Sequence, residues 1–253
     1  MSLCDILEGF KNKSKPIDVK TLPSMGLFYN DDFEIKIKKA SAEDIKKYEN
    51  EFDKEDLGLI ISKIKIIVEN KTLLSSNYKF DDLKSIDVVF LFIEIVKYTK
   101  GKEISIDYLD EESHTLKKIN FNSETFNYFK PDNDLLKNYD SKNKLFKIDD
   151  YLFSLPSIGI ENSISYFLIE SNDPNKYTNL NFNFSYFLDK KEFLTFEEIE
   201  NLIEIFNYDL SDDEKAKIEN IIKKFKPLQR YSLIKNDKEI DINSKMDLEF
   251  IWK

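Results

Sequence analysis

Leu22-Pro23-Ser24-Met25-Gly26-Leu27-Phe28-Tyr29 puts a rigid extended residue, a turn residue and a run of large apolar side chains into eight positions. Pro23 holds the backbone extended, Gly26 permits a tight turn, and the Leu, Phe and Tyr side chains need burial. Downstream, Phe33, Ile35 and Ile37 alternate with Glu34, Lys36 and Lys38, the pattern of a half-buried strand. Ser41 then caps a helix, with Glu43 and Asp44 in its first turn. A turn, a strand and a helix start in close succession point to an α+β chain.

Working outward, Leu57, Ile60, Ile61, Ile64, Ile67 and Val68 predict an amphipathic helix over 55–69. Asp81 or Asp82 is placed to cap a further helix over 82–99, which is apolar nearly all round and therefore buried on most sides. Gly101 ends it. Asp87 and Glu94, seven apart, share a face of that helix. They are either a pair that meets Lys or Arg of a partner or the narrow solvated stripe of a core helix, and the stripe is the simpler reading. Ile104, Ile106 and Tyr108 alternate, and Leu116, Ile119 and Phe121 read as the returning strand of a hairpin turning at Asp110 to His114.

Residues 122–143 are rich in Asn, Asp and Lys and read as a polar loop or linker. Leu145, Phe146, Ile148, Tyr151 and Phe153 predict another short strand pair, and 160–170 a helix, while 178–188 stays unassigned. Thr195-Phe196-Glu197-Glu198 is a capping box opening a helix through Asn207. Ser211-Asp212-Asp213-Glu214 is a second, opening a helix to about Phe225, near Pro227. Tyr231 to Ile234 and Glu239 to Ile242 predict a terminal hairpin, and Lys245 to Trp252 a final helix. The expected organisation is a flexible N-terminal arm over 1–20, an α+β domain over 21–121, the polar segment, and a C-terminal α+β region over 144–253. The fold class is α+β, with helices, short antiparallel hairpins and a mixed core.

With 253 residues the chain can bury a substantial core. Hydrophobic residues make up 41%, a globular value. The 48 acids outweigh 38 basic residues, a net charge of −10, which argues against a nucleic-acid or anionic membrane partner. Cys4 is the single cysteine, so no disulfide forms within the chain, as suits a reducing cytoplasm. Met1 to Phe10 lacks a basic region followed by a long apolar run, so no signal peptide is read. The longest apolar stretch, Ile86 to Val96, is interrupted by Asp87 and Glu94 and is far shorter than the roughly 20 residues that span a bilayer. The 21 Phe and 13 Tyr, common in AT-rich coding, imply a Phe-rich core and sticky surfaces.

No catalytic or metal constellation emerges, and no cofactor is expected. His114, the single histidine, sits in a polar turn without a nucleophile motif. Cys4 has no second Cys or His at ligand spacing. Asp209, Ser211 and Asp213 begin like a calcium loop, but Glu214 and Asn220 stand where glycine and a bidentate acid belong, so a helix cap explains them better. With five glycines in all, there is no glycine-rich phosphate cradle. Acidic pairs such as Asp149-Asp150 and Glu197-Glu198 keep a carboxylate-dependent cell-wall hydrolase as the rival class, which needs two carboxylates across a cleft. A small-molecule or peptide-binding module is the third reading.

The segment from Leu22 to Tyr29, followed by Ile35-Lys36-Ile37 and Ala42-Glu43-Asp44, resembles the opening signature of the T4-type bacteriophage baseplate hub family. The likeness extends over about 20–110, through the helix start near Asp81-Asp82-Leu83 and the hairpin at Ile104-Ser105-Ile106. Arg230 to Ile234, Ile240-Asp241-Ile242 and Leu248 to Trp252 resemble longer marine-phage relatives. No cysteine follows the hairpin, so no metal role is carried over. The resemblance implies a non-enzymatic protein of a contractile tail, working by protein–protein contact. Its partners would be baseplate hub proteins or the tape-measure protein, met in the host cytoplasm during virion assembly. It would be either a structural subunit of the tail baseplate or an assembly chaperone absent from the mature virion. Leu22, Pro23, Met25, Leu27, Phe28 and Tyr29 are the candidate partner-binding residues; the same side chains could equally serve to pack the turn onto the chain's own helices.

Overall fold

The computed structural model describes residues 15–24, 26–50, 57–101, 103–110, 115–122, 126–128, 133–149, 151–171, 183–187, 193–225, 231–235 and 238–241. In 47–50, 57–63, 103–110, 116–122, 126–128, 231–235 and 238–241 it describes the backbone alone. The architecture is α+β, and every strand pairing described is antiparallel.

β1 (Ile17–Asp18) pairs with β2 (Ile35–Ile37), Ile17 opposite Ile37. The lead-in expected to be loose through residue 20 is therefore tied down from Lys15, whose carbonyl accepts from the Tyr98 hydroxyl at 2.6 Å. Residues 1–14, with Cys4, lie outside the described set. α1 (Ala42–Asn50) starts where Ser41 predicts, because Ser41 and Asp44 exchange hydrogen bonds in a capping box: Ser41 N–H donates to Asp44 Oδ2 at 2.6 Å, and Asp44 N–H to Ser41 Oγ at 3.2 Å. α2 (Leu57–Lys71) runs straight into β3 (Thr72–Leu74), which returns along β2.

α3 (Ser85–Lys100) is the central helix, and its buried residues run almost without break from Ile86 to Val96. It begins three residues later than expected. Asp82 instead closes a 3-10 turn, Phe80–Asp82, by accepting the Lys79 N–H at 2.7 Å. Leu83 and Lys84 are extended, and the helix follows. Gly101 ends it at φ 112°, as its position implied.

β4 (Glu103–Asp110) and β5 (Thr115–Asn122) form the predicted hairpin, with Ile104 opposite Phe121 and Ile106 opposite Ile119; its turn, with His114, lies outside the described residues. The segment expected to be a polar loop has structure of its own: β6 (Phe126–Tyr128), α4 (Asn133–Leu136) and β7 (Tyr139–Asp140). β7, β8 (Leu145–Ile148) and β9 (Tyr151–Phe153) form a sheet in that order.

α5 (Ile158–Glu170) is capped by Ser157, whose side chain accepts the Ile160 N–H. α6 (Phe196–Glu204) opens on the Thr195–Glu198 capping box and ends in a wide turn over Ile205–Asp209. α7 (Asp212–Phe225) opens on Ser211 and Glu214 as predicted, which accounts for Ser211 as the helix cap and Asp213 as part of the first turn, while Asp209 ends the preceding wide turn. β10 (Tyr231–Lys235) and β11 (Lys238–Asp241) are the terminal hairpin, and β10 also pairs with β6. The final helix expected at 245–252 lies outside the described residues.

The main core does not divide at the polar segment. Ile37, Val68, Leu91 and Phe92 share one apolar cluster with Leu135, Phe146, Phe153, Ile158 and Phe225. Phe146 is its hinge between early and late chain, with ring centroids 5.9 Å from Phe28 and 5.1 Å from Phe225. A second cluster gathers Ile160, Phe167, Phe184, Leu194, Ile199 and Ile203 between α5 and α6.

Candidate functional site

The loop between β1 and β2 carries the motif, and most of it faces inward. Leu22, Pro23, Ser24 and Tyr29 are buried. Leu27 and Phe28 are half-buried and pack against the main core. Met25 lies outside the described residues. Gly26 takes φ 72°, the left-handed turn that glycine adopts without strain. Among the described apolar residues of the motif, Leu27 and Phe28 keep part of their surface open. A groove of about 470 Å³ reaches the loop at Leu22 and Gly26, with Thr21, Phe33, Glu34 and Lys36 in its lining.

The loop is fastened to α3 by Asp87. This carboxylate is fully buried, so the solvated stripe expected for it does not exist, and neither is it turned toward a partner. Its Oδ1 accepts the Ser24 N–H at 3.0 Å and its Oδ2 accepts the Tyr29 hydroxyl at 2.6 Å. Tyr29 Oη in turn accepts the Lys84 N–H at 3.0 Å. Ser24 Oγ is buried with no hydrogen-bond partner of ordinary geometry, so the backbone N–H carries the contribution of this residue. Burial pushes the Asp87 carboxyl up to about 6, against the opposing pull of the Tyr29 hydroxyl, the Ser24 N–H and the Lys84 charge. Burial and the Asp87 charge raise the Tyr29 phenol above its ordinary value, so it stays a donor. Glu94, on the same helix face, is half-buried and lies 3.5 Å from Lys97 Nζ.

Lys84 extends the fastening to the second half of the chain. Its Nζ donates to the Leu155 carbonyl at 2.7 Å and lies 5.4 Å over the Phe28 ring. Its backbone bridges to Ser157, and Ile158 N–H donates to the Leu83 carbonyl at 2.8 Å. Tyr139 closes the loop from the other side by donating to the Leu27 carbonyl. The motif is thus a structural clasp joining β1, α3, β7 and the start of α5.

A different surface presents apolar side chains outward. On α5, Tyr166 is 60% and Ile169 76% exposed; before and at the start of α6, Phe193 is 65% and Phe196 38% exposed. Tyr166 and Phe196 meet edge to face at 6.1 Å, and Phe196 also packs on Phe167 at 4.9 Å. An exposed apolar cluster of this kind marks contact surfaces more often than chance. The sequence carried a signal for it. Tyr166-Phe167-Leu168-Ile169 is four consecutive apolar residues in a helix, and a helix cannot turn all four to one core. Phe167 took the core, and Tyr166 and Ile169 were left outside.

A third feature is an open groove of about 450 Å³ along α7, lined by Asp149, Asp213, Lys217, Asn220 and Lys224. It mixes signs, and Lys217 Nζ bridges Asp149 at 3.1 Å. Among the described residues no helix is long and apolar enough to cross a membrane. No family model, curated protein or solved structure matches the chain.

Proposed function

We propose that this chain is a non-enzymatic component or assembly factor of a contractile-tail baseplate hub, working by protein–protein contact. The observation that carries the contact part is the outward cluster of Tyr166, Ile169, Phe193 and Phe196, each of which leaves a large part of its apolar surface exposed. The tail assignment rests on the resemblance of the segment from Leu22 to Tyr29 and its following strand and helix. Burial of most of that motif gives it a folding task, and among its described apolar residues Leu27 and Phe28 keep surface open to a partner.

Mass spectrometry of purified virions beside infected-cell lysate tests the reading. Stoichiometric presence in the virion means a structural hub subunit. Presence in the lysate alone, co-purifying with hub or tape-measure protein, means an assembly chaperone. Association with no tail protein overturns the tail assignment.

A further inference from the structure

We infer that the α5–α6 face docks a Lys- or Arg-rich amphipathic segment of a partner protein. This rests on the protein–protein reading above and goes beyond it by stating the partner's chemistry. The apolar cluster does not stand alone on its surface. Glu197, Glu200 and Glu204 on α6 are spaced three and four apart, so they form one stripe, and all are exposed. Phe196, at the head of the same helix, joins that stripe to Tyr166 on α5.

Among the described residues, the two stretches that carry the cluster are acidic. α5 carries Glu161 and Glu170, and residues 193–214 carry eight acids; neither stretch contains a Lys or Arg. Among the described residues, Glu197, Glu200 and Glu204 make no ion pair, whereas Glu161, at the start of α5, is met by Lys65 at 3.9 Å. An apolar strip edged by unpaired carboxylates complements a segment with apolar anchors on one side and cations on the other. A neutral or acidic partner would bury or face those carboxylates without compensation, which is costly. A second copy of this chain would set like charges against each other across a two-fold axis.

The test uses the full-length chain and two synthetic helical peptides, one of leucine and lysine, the other of leucine and glutamate, followed by fluorescence anisotropy. The leucine–lysine peptide is expected to bind, more weakly as salt rises, and the leucine–glutamate peptide is not. Combined Glu197→Lys, Glu200→Lys and Glu204→Lys should weaken the basic peptide at least about tenfold and admit the acidic one. Tyr166→Ser with Ile169→Ser, at side chains the core does not need, should weaken it comparably and leave the melting temperature in place. Charge reversal elsewhere, at Asp18, Asp32 and Glu34, should change little.

No binding of the basic peptide overturns the inference. So does binding that all these variants share equally, which would be the general attraction of an acidic chain. Concentration-dependent dimers in sedimentation that Ile169→Ser abolishes would give the face to a second copy and also overturn it. None of these results touches the tail reading, which stands or falls on association with tail proteins.

Discussion

The Tyr29 hydroxyl donates to Asp87 Oδ2 at 2.6 Å across 58 residues of sequence, and both side chains are buried. This bond turns a surface-looking loop into part of the core. A charge taken out of water is tolerated only when it is bonded. Asp87 has the Ser24 N–H and the Tyr29 hydroxyl to meet it, and Lys84 close by. The loop is therefore the counterpart that lets α3 carry an acid inside.

Tyr29→Phe should destabilise the chain by about 2–3 kcal/mol, because it removes a bond to a buried charge and leaves the Lys84 N–H without its acceptor. Urea unfolding measures this. A double-mutant cycle with Asp87→Ala should show strong coupling, since each single change removes the same bond. Additive effects would mean that the bond contributes nothing of its own.

The same pair makes stability depend on pH. The folded Asp87 carboxyl sits at about 6 against an ordinary 3.8, so the folded chain holds the proton more tightly than the unfolded chain. Its stabilising contribution is fully present below 3.8 and is lost as pH rises through 6. Asp87→Asn does not titrate. The stability of the native chain minus that of this variant should therefore fall by up to about 3 kcal/mol as pH rises through this window. Other carboxylates titrate in both and cancel, including Asp44, which burial raises but Lys71 and Ser41 hold below its ordinary value overall. A flat difference would place the Asp87 carboxyl near its ordinary value.

Leu27→Ser with Phe28→Ser addresses the exposed remainder of the motif. Phe28 packs on Phe146 and lies under Lys84 Nζ, so the pair of changes should cost about 2–4 kcal/mol in urea unfolding. Loss of tail-protein association with unchanged stability would instead make these two side chains a contact surface rather than packing.

Local signals were legible in the sequence and distant ones were not. Ser41, Thr195 and Ser211 reach a partner three residues away, so the helix starts they mark were readable as strings. The start of α3 was misplaced because Asp82 has two uses in range, and the 3-10 turn at Lys79 took it. Asp87 was misread because its bonding partners lie in a loop 58 and 63 positions earlier, and no periodicity on α3 announces them. The outward face of α5 was half legible, since the run from Tyr166 to Ile169 requires some apolar side chains to face out without saying which. Its apolar residues are dense enough that pattern alone does not say which turn inward.

Two glycines separate the cost of backbone conformation from the cost of packing. An added Cβ would meet nothing within 4 Å at either Gly26 or Gly101, so any penalty comes from φ and ψ. Gly26, at φ 72°, lies where other residues enter at a cost of about 1–2 kcal/mol. Gly101, at φ 112° and ψ −169°, lies in a region that is essentially glycine's alone. It also donates the N–H that closes the last turn of α3 onto the Lys97 carbonyl at 2.9 Å, so a shift to relieve strain would open that turn. Gly101→Ala should therefore lower the urea midpoint more than Gly26→Ala does. Gly26→Asn should recover part of its own loss, because asparagine tolerates the left-handed turn. Equal losses at the two sites would mean that the end of α3 relaxes freely, and the tight stop between α3 and β4 would then lose its explanation.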